Sequence, residues 1–211
     1  MEMNPHESAA KIIIPAIVDK IKNDSKCYVI ALAGESGCGK TETSKALIES
    51  LSSFGIKSQI LGQDNYFYLP PAANHAKRKS DSTWLGPRKE VNFQLLDDTL
   101  VAAKNGSNIL EVQHIDYHTG LVTKEAVNMS NIQVIIVEGT YTMLLKHVDT
   151  RIFIDADYHD TLPYRIMRNR GNEVHDPFVE NILETEHKII AGHRFLADFI
   201  ISKEYKVKQI L

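Results

Sequence analysis

Short apolar runs alternate with stretches of helical spacing along most of the chain. Several runs, such as 132–137, are apolar throughout and are bounded by polar residues or glycine, which is typical of buried strands. The predicted strands are 27–32, 56–61, 109–112, 132–137, 151–154 and 198–202, and the predicted helices are 7–22, 41–53, 93–103, 161–170 and 179–195. This alternation predicts an α/β fold, with a mostly parallel sheet and helices on both of its faces.

The regular pattern is interrupted in three places. Pro15 falls inside the first predicted helix and is expected to bend or interrupt it. Residues 72–90 are polar and basic and are predicted to form a mobile loop, and residues 116–127 predict a small hairpin. We expect one domain over residues 1–211, with an extra N-terminal helix at about 6–23 that packs on the domain or, alternatively, on a partner.

Residues 34–41 match the phosphate-binding pattern G-x-x-x-x-G-K-[ST] at every fixed position. A predicted strand precedes them and a predicted helix follows, which is the context that this motif requires. Glycines let the backbone amides approach a polyphosphate at the positive end of the following helix. Lys40 is expected to reach the outer phosphates, and Thr41 to bind the accompanying magnesium. The predicted nucleotide contacts in this stretch are Gly34, Glu35, Ser36, Gly37, Cys38, Gly39, Lys40, Thr41 and Glu42.

Composition and charge narrow the class of protein. The net charge of -3 and the 43% hydrophobic content are ordinary for globular domains, and no basic excess indicates a nucleic-acid or membrane partner. The two cysteines, Cys27 and Cys38, lie in the predicted first strand and the loop, and they indicate no disulfide framework. The apolar runs are too short to span a bilayer and no signal peptide is visible, so we expect a cytoplasmic protein.

Polar side chains follow the ends of the other predicted strands. Because parallel strands present their carboxyl ends at one edge of a sheet, Asp64, Glu138, Asp155 and the segment 113–120 are expected to gather near the loop. Asp64 is either a base for an acceptor hydroxyl or a turn residue, and Glu138 either holds magnesium or ends its strand. We interpret Asp155 as a helix cap. Three arginines of the 161–170 helix either contact phosphate or form a solvated face, namely Arg165, Arg168 and Arg170.

Together these motifs resemble those of the uridine kinase and phosphoribulokinase family of P-loop kinases. The matching segments occur in the family's order, at 34–41, 63–67, 92–93, 116–118, 137–139, 153–157, 165–168 and 197–201. The resemblance implies a three-layer P-loop NTPase fold of the nucleoside-kinase type. It also implies a kinase that uses a nucleoside triphosphate, ATP or GTP, with Mg²⁺ to phosphorylate a small hydroxyl-bearing metabolite.

The resemblance also implies roles for individual residues. Lys40, Asp64 and Arg168 are expected to be catalytic, and Thr41, Asp64 and Glu138 to form the metal site. A lid at about 164–176 is expected to bring Arg165 and Arg170 to the nucleotide. The expected acceptor contacts are Tyr66, Tyr117, His118 and Arg165.

The acceptor half of the chain departs from the uridine kinase pattern. Gln94 stands where that pattern has a ribose-binding Asp, and no His-Pro pair follows. Gly120 and Val122 stand where uridine kinases carry a base-recognising His and an Arg, and His118 is displaced by two positions. The predicted acceptor is therefore a nucleoside such as uridine or cytidine, or another small metabolite such as nicotinamide riboside, ribulose phosphate or pantothenate.

Two other classes of function bear on this interpretation. A GTPase-type switch is disfavoured, because the chain has neither Asp-x-x-Gly after a strand nor Asn-Lys-x-Asp. A nucleotide-binding regulatory or scaffold protein without kinase turnover is the alternative that the altered acceptor motifs leave open. As partners we expect a nucleoside triphosphate and a small-molecule acceptor, no nucleic acid and no membrane, and homo-oligomerisation is left open.

Overall fold

The computed structural model describes residues 4–116, 119–168 and 176–210. The strands are β1 (Tyr28–Gly34), β2 (Ser58–Gly62), β3 (Ile109–Ile115), β4 (Val122–Asn128), β5 (Val134–Gly139), β6 (Thr150–Asp155), β7 (Phe199–Ser202) and β8 (Val207–Gln209). The helices are α1 (Pro5–Asn23), α2 (Lys40–Ser53), α3 (Pro71–Ser80), α4 (Pro87–Glu90), α5 (Phe93–Lys104), α6 (Leu162–Arg168) and α7 (Pro177–Ile190).

Six of these strands form one sheet in the order β2-β5-β1-β6-β7-β8. Every pairing in it is parallel except that of β7 with β8, which is antiparallel. Strands β3 and β4 pair with each other as a separate antiparallel hairpin. The carboxyl ends of β2, β5, β1 and β6 therefore lie side by side at one edge, where ligands bind in such sheets.

The side chains of β1 alternate between two hydrophobic cores. Ile30 and Leu32 pack with α1 and α2 on one face, whereas Val29, Ala31 and Ala33 pack with α5 and the hairpin on the other. Every residue of β1 is buried. The sheet is therefore the middle of three layers, and the predicted α/β fold with a mostly parallel sheet is confirmed.

Helix α1 continues through Pro15, so the interruption predicted there is absent. Pro15 lies on the exposed face, while Ile13, Ile14 and Ile17 are buried in the same core as α2. A proline inside a helix costs about 3 kcal/mol, and burying each isoleucine contributes about 1.5–3 kcal/mol. The apolar face of α1 therefore outweighs the proline. No helix within the described residues is both long and apolar enough to cross a bilayer.

The prediction of a mobile loop at 72–90 was wrong, because α3 and α4 occupy most of that segment. Each of the two helices has a proline at its first position, where a missing amide proton costs nothing. Their buried residues are polar, Asn74 in α3 and Glu90 in α4, so no apolar periodicity marks them in the sequence.

Three smaller predictions also differ from the structure. The hairpin is formed by β3 and β4, so residues 116 and 119–121 belong to its connection and not to its first arm. The last predicted helix ends at Ile190 and continues as a 3₁₀ turn over Ala191–Leu196. Asp155 is not the cap before α6: its carboxylate pairs with Arg194 at 3.1 Å, whereas Asp157 Oδ1 accepts the amide protons of His159 and Asp160.

Candidate active site

The loop between β1 and α2 is shaped by glycines with positive φ. Gly37 (φ 81°) and Gly39 (φ 88°) adopt the left-handed region, and Gly39 is the N-cap of α2. A β-carbon at Gly37 would lie 2.9 Å from Arg165 Cγ, and one at Gly39 would lie 2.6 Å from His6 Cε1. His6 of α1 also hydrogen-bonds Thr43 Oγ1 at 2.9 Å, so the first helix of the chain contacts this loop.

Lys40 lies at the first position of α2 with its ammonium turned back over the loop. Its Nζ donates to the carbonyl oxygens of Gly34 and Glu35, each at 2.9 Å. Glu35 itself is buried, and its carboxylate contacts His187 Nδ1 of α7 at 2.6 Å. Burial raises the pKa of Glu35, and the contact with His187 partly offsets that rise. A cation is thus fixed above a loop whose own acidic side chain is turned towards α7.

Thr41 and Glu138 join the loop to the end of β5. The hydroxyl of Thr41 lies 3.1 and 3.3 Å from the two oxygens of the Glu138 carboxylate and donates to it. Burial raises the pKa of Glu138, Lys40 and Thr41 oppose that rise, and the nearby Asp64 carboxylate adds to it. Three of the predicted residues, Lys40, Thr41 and Asp64, therefore lie close enough to Glu138 to act on its charge.

Asp64 reaches this edge because the ends of β2 and β5 approach each other closely. It lies in the 3₁₀ turn Gln63–Tyr66 that follows β2. The Gln63 side chain is buried against Gly139, where an added β-carbon would lie 2.3 Å from Gln63 Cβ. Gln63 Oε1 also accepts the amide proton of Tyr141 at 2.8 Å. Gly139 is thus required for the close approach that sets Asp64 beside the end of β5.

Arg165 of α6 is only 2% exposed and lies against the loop at Gly37. Its Nη2 donates to the Tyr158 carbonyl at 2.9 Å, and Nη1 lies 3.8 Å from a Glu180 carboxylate oxygen. Its Nε and Nη1 are buried without a hydrogen-bond partner among the residues that the structure describes. Buried donors beside a phosphate-type loop are suited to an anion, because unsatisfied buried donors are costly.

A cleft of about 560 Å³ opens beside the loop, within the range of small-molecule sites. Ser36, Asp64 and Arg165 line it, and so do Asn74, Arg78 and Glu186, which the sequence did not indicate. Arg78 lies in the segment predicted to be a mobile loop. A second cleft of about 460 Å³ is lined by Glu35, Asp157, His187, Arg194 and Lys203. The two clefts therefore reach the loop at neighbouring residues, Ser36 and Glu35.

Several predicted site residues do not lie in these clefts. Tyr66 is 1% exposed, packs in the core and donates to Thr99 Oγ1 at 3.4 Å, whereas its neighbour Phe67 lines the first cleft. Glu42 is exposed on α2 and pairs with Lys45 at 2.8 Å. Cys38 is buried in the loop, and both cysteines are free thiols. Tyr117, His118 and Arg170 lie outside the described residues, as do the side chain of Arg168 and residues 169–175 of the predicted lid.

The oxygen ligands at this edge suit magnesium that arrives with a phosphate compound. Mg²⁺ keeps several waters and is usually held by one or two carboxylates together with substrate phosphates. Thr41 Oγ1 and the Glu138 carboxylate provide such oxygens beside the loop. Within the described ranges, no group of three or more His, Cys, Asp or Glu residues could hold a metal ion. Thr41 Oγ1 and the Glu138 carboxylate therefore fit an ion that is shared with a bound phosphate group.

Known proteins resemble the chain over most of its length. The bifunctional alpha-galactosidase/sucrose kinase AgaSK of Mediterraneibacter gnavus is 28% identical over 196 residues, which are 88% of this chain but 21% of AgaSK. A uridine kinase of Macrococcus caseolyticus is 25% identical over 195 residues, 84% of this chain and 88% of that enzyme.

Solved structures agree with the fold. The structure of a possible uridine kinase from Bacillus stearothermophilus matches with a TM-score of 0.63 at 18% identity, covering 92% of this chain and 97% of the other. The model of the phosphoribulokinase / uridine kinase family matches residues 29–188, which include the loop, Asp64, Glu138, Arg165 and α7 up to Lys188. The chain therefore belongs to the phosphoribulokinase / uridine kinase family of P-loop kinases.

Proposed function

We propose that the protein transfers the γ-phosphoryl group of a nucleoside triphosphate, ATP or GTP, to a hydroxyl of a nucleoside-like acceptor or another small metabolite. The observation that carries this proposal is the contact of the Thr41 hydroxyl with the Glu138 carboxylate beside Lys40, with Asp64 near enough to raise the pKa of Glu138. A phosphate loop, a carboxylate after β5 and a second carboxylate after β2 are the parts that a small-molecule kinase needs.

On the donor side, the loop amides and Lys40 bind the phosphates of the triphosphate. Thr41 and Glu138, with Asp64 nearby, would hold Mg²⁺, which would neutralise negative charge on the triphosphate. Arg165, with its Nε and Nη1 buried beside Gly37, stabilises the phosphoryl group in transfer. Arg168 and Arg170 belong to the same proposed lid at about 164–176. The second cleft, which meets the loop at Glu35, receives the nucleoside part of the donor.

On the acceptor side, Asp64 is the base that accepts the proton of the attacking hydroxyl. It is exposed, and it lines the first cleft together with Ser36 and Arg165. A hydroxyl held there lies between the carboxylate that takes its proton and the loop that binds the donor. General-base catalysis of this kind contributes about 10²–10⁴-fold to the rate.

The names of two relatives support a class of acceptor for this chain. One is named a uridine kinase and the other includes a sucrose kinase, so both names give an acceptor that contains a sugar. For this chain we propose the same class of acceptor: a nucleoside such as uridine or cytidine, or a small metabolite with a sugar-like hydroxyl.

A coupled ADP-release assay over nucleosides, sugars and vitamins tests this proposal. Kinase function requires ADP release that depends on both magnesium and an acceptor, together with a phosphorylated product detected by mass spectrometry. Nucleotide binding without acceptor-dependent turnover across the whole panel would favour the alternative, a regulatory or scaffold protein that binds nucleotide.

A further inference from the structure

Three charged residues from distant parts of the chain meet in the wall of the first cleft. Arg78 of α3 contacts Glu90 of α4 through Nη2 at 2.8 Å and through Nε at 2.9 Å. Its Nη2 also lies 3.4 Å from a carboxylate oxygen of Glu186 in α7. We call these three residues the Arg78 cluster. It joins the two helices that were not predicted to the helix that follows the proposed lid.

Glu90 is the anchor of the Arg78 cluster. Its side chain is fully buried and also accepts the amide proton of Gly86 at 3.0 Å, Asn74 Nδ2 at 3.3 Å and the Tyr141 hydroxyl at 3.4 Å. A carboxylate with that many donors fixes the position and the charge of Arg78. Glu90 itself does not line the cleft.

Arg78 and Glu186 form the surface that a ligand meets. Both line the cleft, together with Asp64. Glu186 accepts from Arg78 at 3.4 Å, which is a long hydrogen bond, and no other hydrogen bond to its carboxylate is found among the described residues. The carboxylate therefore has acceptor capacity left over, and the adjacent guanidinium offers fixed donors.

The charge of this wall does not suit an anionic ligand. Arg78 is already paired with two carboxylates, and Asp64 adds a third on the same cleft. The other cations that line the cleft are Arg165, which lies against the phosphate loop, and Lys79, whose Nζ lies 5.1 Å from the centroid of the Phe178 ring, and Asp176 lines the cleft as a further carboxylate. A polyhydroxylated molecule matches such a surface, because each hydroxyl both donates to a carboxylate and accepts from a guanidinium.

We propose that Arg78 and Glu186 form a hydroxyl-binding subsite that selects an uncharged, polyhydroxylated acceptor, either a free sugar or the sugar of a nucleoside. This inference rests on the proposed kinase function and names the acceptor chemistry of the same cleft. The subsite positions the acceptor ring so that another of its hydroxyls faces Asp64. Arg78 and Glu186 are specificity-determining residues in this proposal and do not take part in the proton transfer.

The test compares Glu186→Gln with the matched control Glu184→Gln. Glu184 lies on the same helix, is half exposed and pairs with Lys188 on the surface. Loss of a charged hydrogen-bonding partner is expected to raise the acceptor KM about 10–100-fold in Glu186→Gln and to leave the KM for the triphosphate unchanged. Glu184→Gln is expected to match the unmodified protein in both constants.

A panel of acceptors distinguishes a free sugar from the sugar of a nucleoside. It also tests whether neutral acceptors are preferred to anionic ones. It contains free neutral sugars, neutral nucleosides, and anionic compounds such as gluconate and ribulose 5-phosphate. Binding is also measured by calorimetry with Mg²⁺ and a non-hydrolysable ATP analogue, which needs no turnover. Selective binding of a free sugar or of a nucleoside supports the proposal and identifies the source.

The outcomes distinguish this inference from the proposed function. If neutral polyols bind but no phosphate is transferred, the subsite stands and the kinase function fails. If the preferred acceptor is anionic, if no neutral polyol binds, or if the two glutamine variants behave alike, the subsite is refuted. Should Glu186→Gln unfold, Arg78→Lys keeps the charge but loses the planar fork, and it is expected to raise the acceptor KM in the same way.

Discussion

The two sides of the cleft are built in different ways. The proposed donor side is centred on one continuous stretch of chain, residues 34–41, whose shape comes from backbone angles at glycines and from the start of α2. The proposed acceptor side is assembled from side chains that are far apart in sequence, with Arg78 and Glu186 separated by 108 positions. A site made of backbone leaves a contiguous motif, whereas a site made of long-range side-chain contacts does not. Variants on each side should therefore change different kinetic constants.

The largest effect is expected on the donor side, from Lys40→Ala. Removing the cation above the loop is expected to reduce phosphoryl transfer by about three orders of magnitude or more, because the charge of the transferred group loses its fixed partner. Acceptor-dependent ADP release measures the change. Lys45→Ala is the control, since Lys45 is exposed on the same helix and pairs only with Glu42 among the described salt bridges. Full activity of Lys40→Ala would refute the assignment of the loop.

The next effect belongs to the acceptor side. Asp64→Asn is expected to lower kcat by about 10²–10⁴-fold, because the amide cannot accept the hydroxyl proton, while triphosphate binding is retained. Stopped-flow turnover and calorimetric titration with nucleotide measure the two quantities separately. Asp98→Asn, on the exposed face of α5, is the control. A parallel loss of binding and turnover would make Asp64 a metal ligand or a structural residue.

A third variant disturbs the close approach of the ends of β2 and β5, which carry Asp64 and Glu138. Gly139→Ala places a β-carbon 2.3 Å from Gln63 Cβ, so the ends of β2 and β5 must separate. The free energy of unfolding is expected to fall by about 1–3 kcal/mol, with Tm falling by about 2–4 °C for each kcal/mol. Kinetic constants for both substrates should change together, because Asp64 moves away from Glu138.

Gly192→Ala is the matched control for that experiment, since nothing lies within 4 Å of a β-carbon added there. Calorimetric melting curves of the two variants, recorded side by side, measure the difference. An unchanged Tm in Gly139→Ala would show that the approach of the two strand ends is not tight.

The smallest effect is a pH dependence of stability that arises from Glu186 in the wall of the first cleft. Burial raises the pKa of Glu186 to about 7, with Glu90 and Asp64 adding to the rise while Arg78 and Lys40 oppose it. The ordinary pKa of a glutamate is 4.5. Between pH 4.5 and about pH 7, Glu186 therefore keeps its proton in the folded chain but has lost it in the unfolded chain. The stabilisation is complete below that window and is lost as the pH rises through it.

Glu186→Gln is expected to remove this pH-dependent contribution to the free energy of unfolding, because the amide does not titrate. Urea unfolding between pH 4.5 and 7.5 measures the slope in the variant and in the unmodified protein. Glu184→Gln should keep the slope. An identical slope in all three proteins would contradict the raised pKa of Glu186.

The sequence allowed the fold and the phosphate-type loop to be predicted because both depend on local signals. Apolar strands of near-continuous β-branched residues marked the parallel sheet, and the glycines with Lys40 and Thr41 marked the loop. Asp64 and Glu138 followed from the rule that strand ends converge. The order of strands in the sheet brings both beside the loop.

The wall of the first cleft could not be predicted from the sequence, because the helices that form it are fixed by polar contacts, which leave no periodic pattern. Helices α3 and α4 are anchored by Asn74 and Glu90, and the chain around them is rich in lysine and arginine, which is also typical of a loop. Tyr66 shows the opposite error. The resemblance to uridine kinases implied an acceptor contact for it, but the 3₁₀ turn directs its ring into the core towards Thr99.

Because His6 contacts the loop, ligand binding at the loop is expected to change the stability of the first turn of α1. His6 packs edge-on against Tyr205 at 4.4 Å, and both side chains lie against Gly39. Filling the loop would then tighten the first turn of α1 by linkage, since whatever favours one conformation of Gly39 favours the His6 contact as well. Amide hydrogen exchange at residues 6–10 should slow when nucleotide binds, so a dye attached near residue 4 would serve as an optical sensor of occupancy. Unchanged exchange there would show that the helix and the loop are energetically independent.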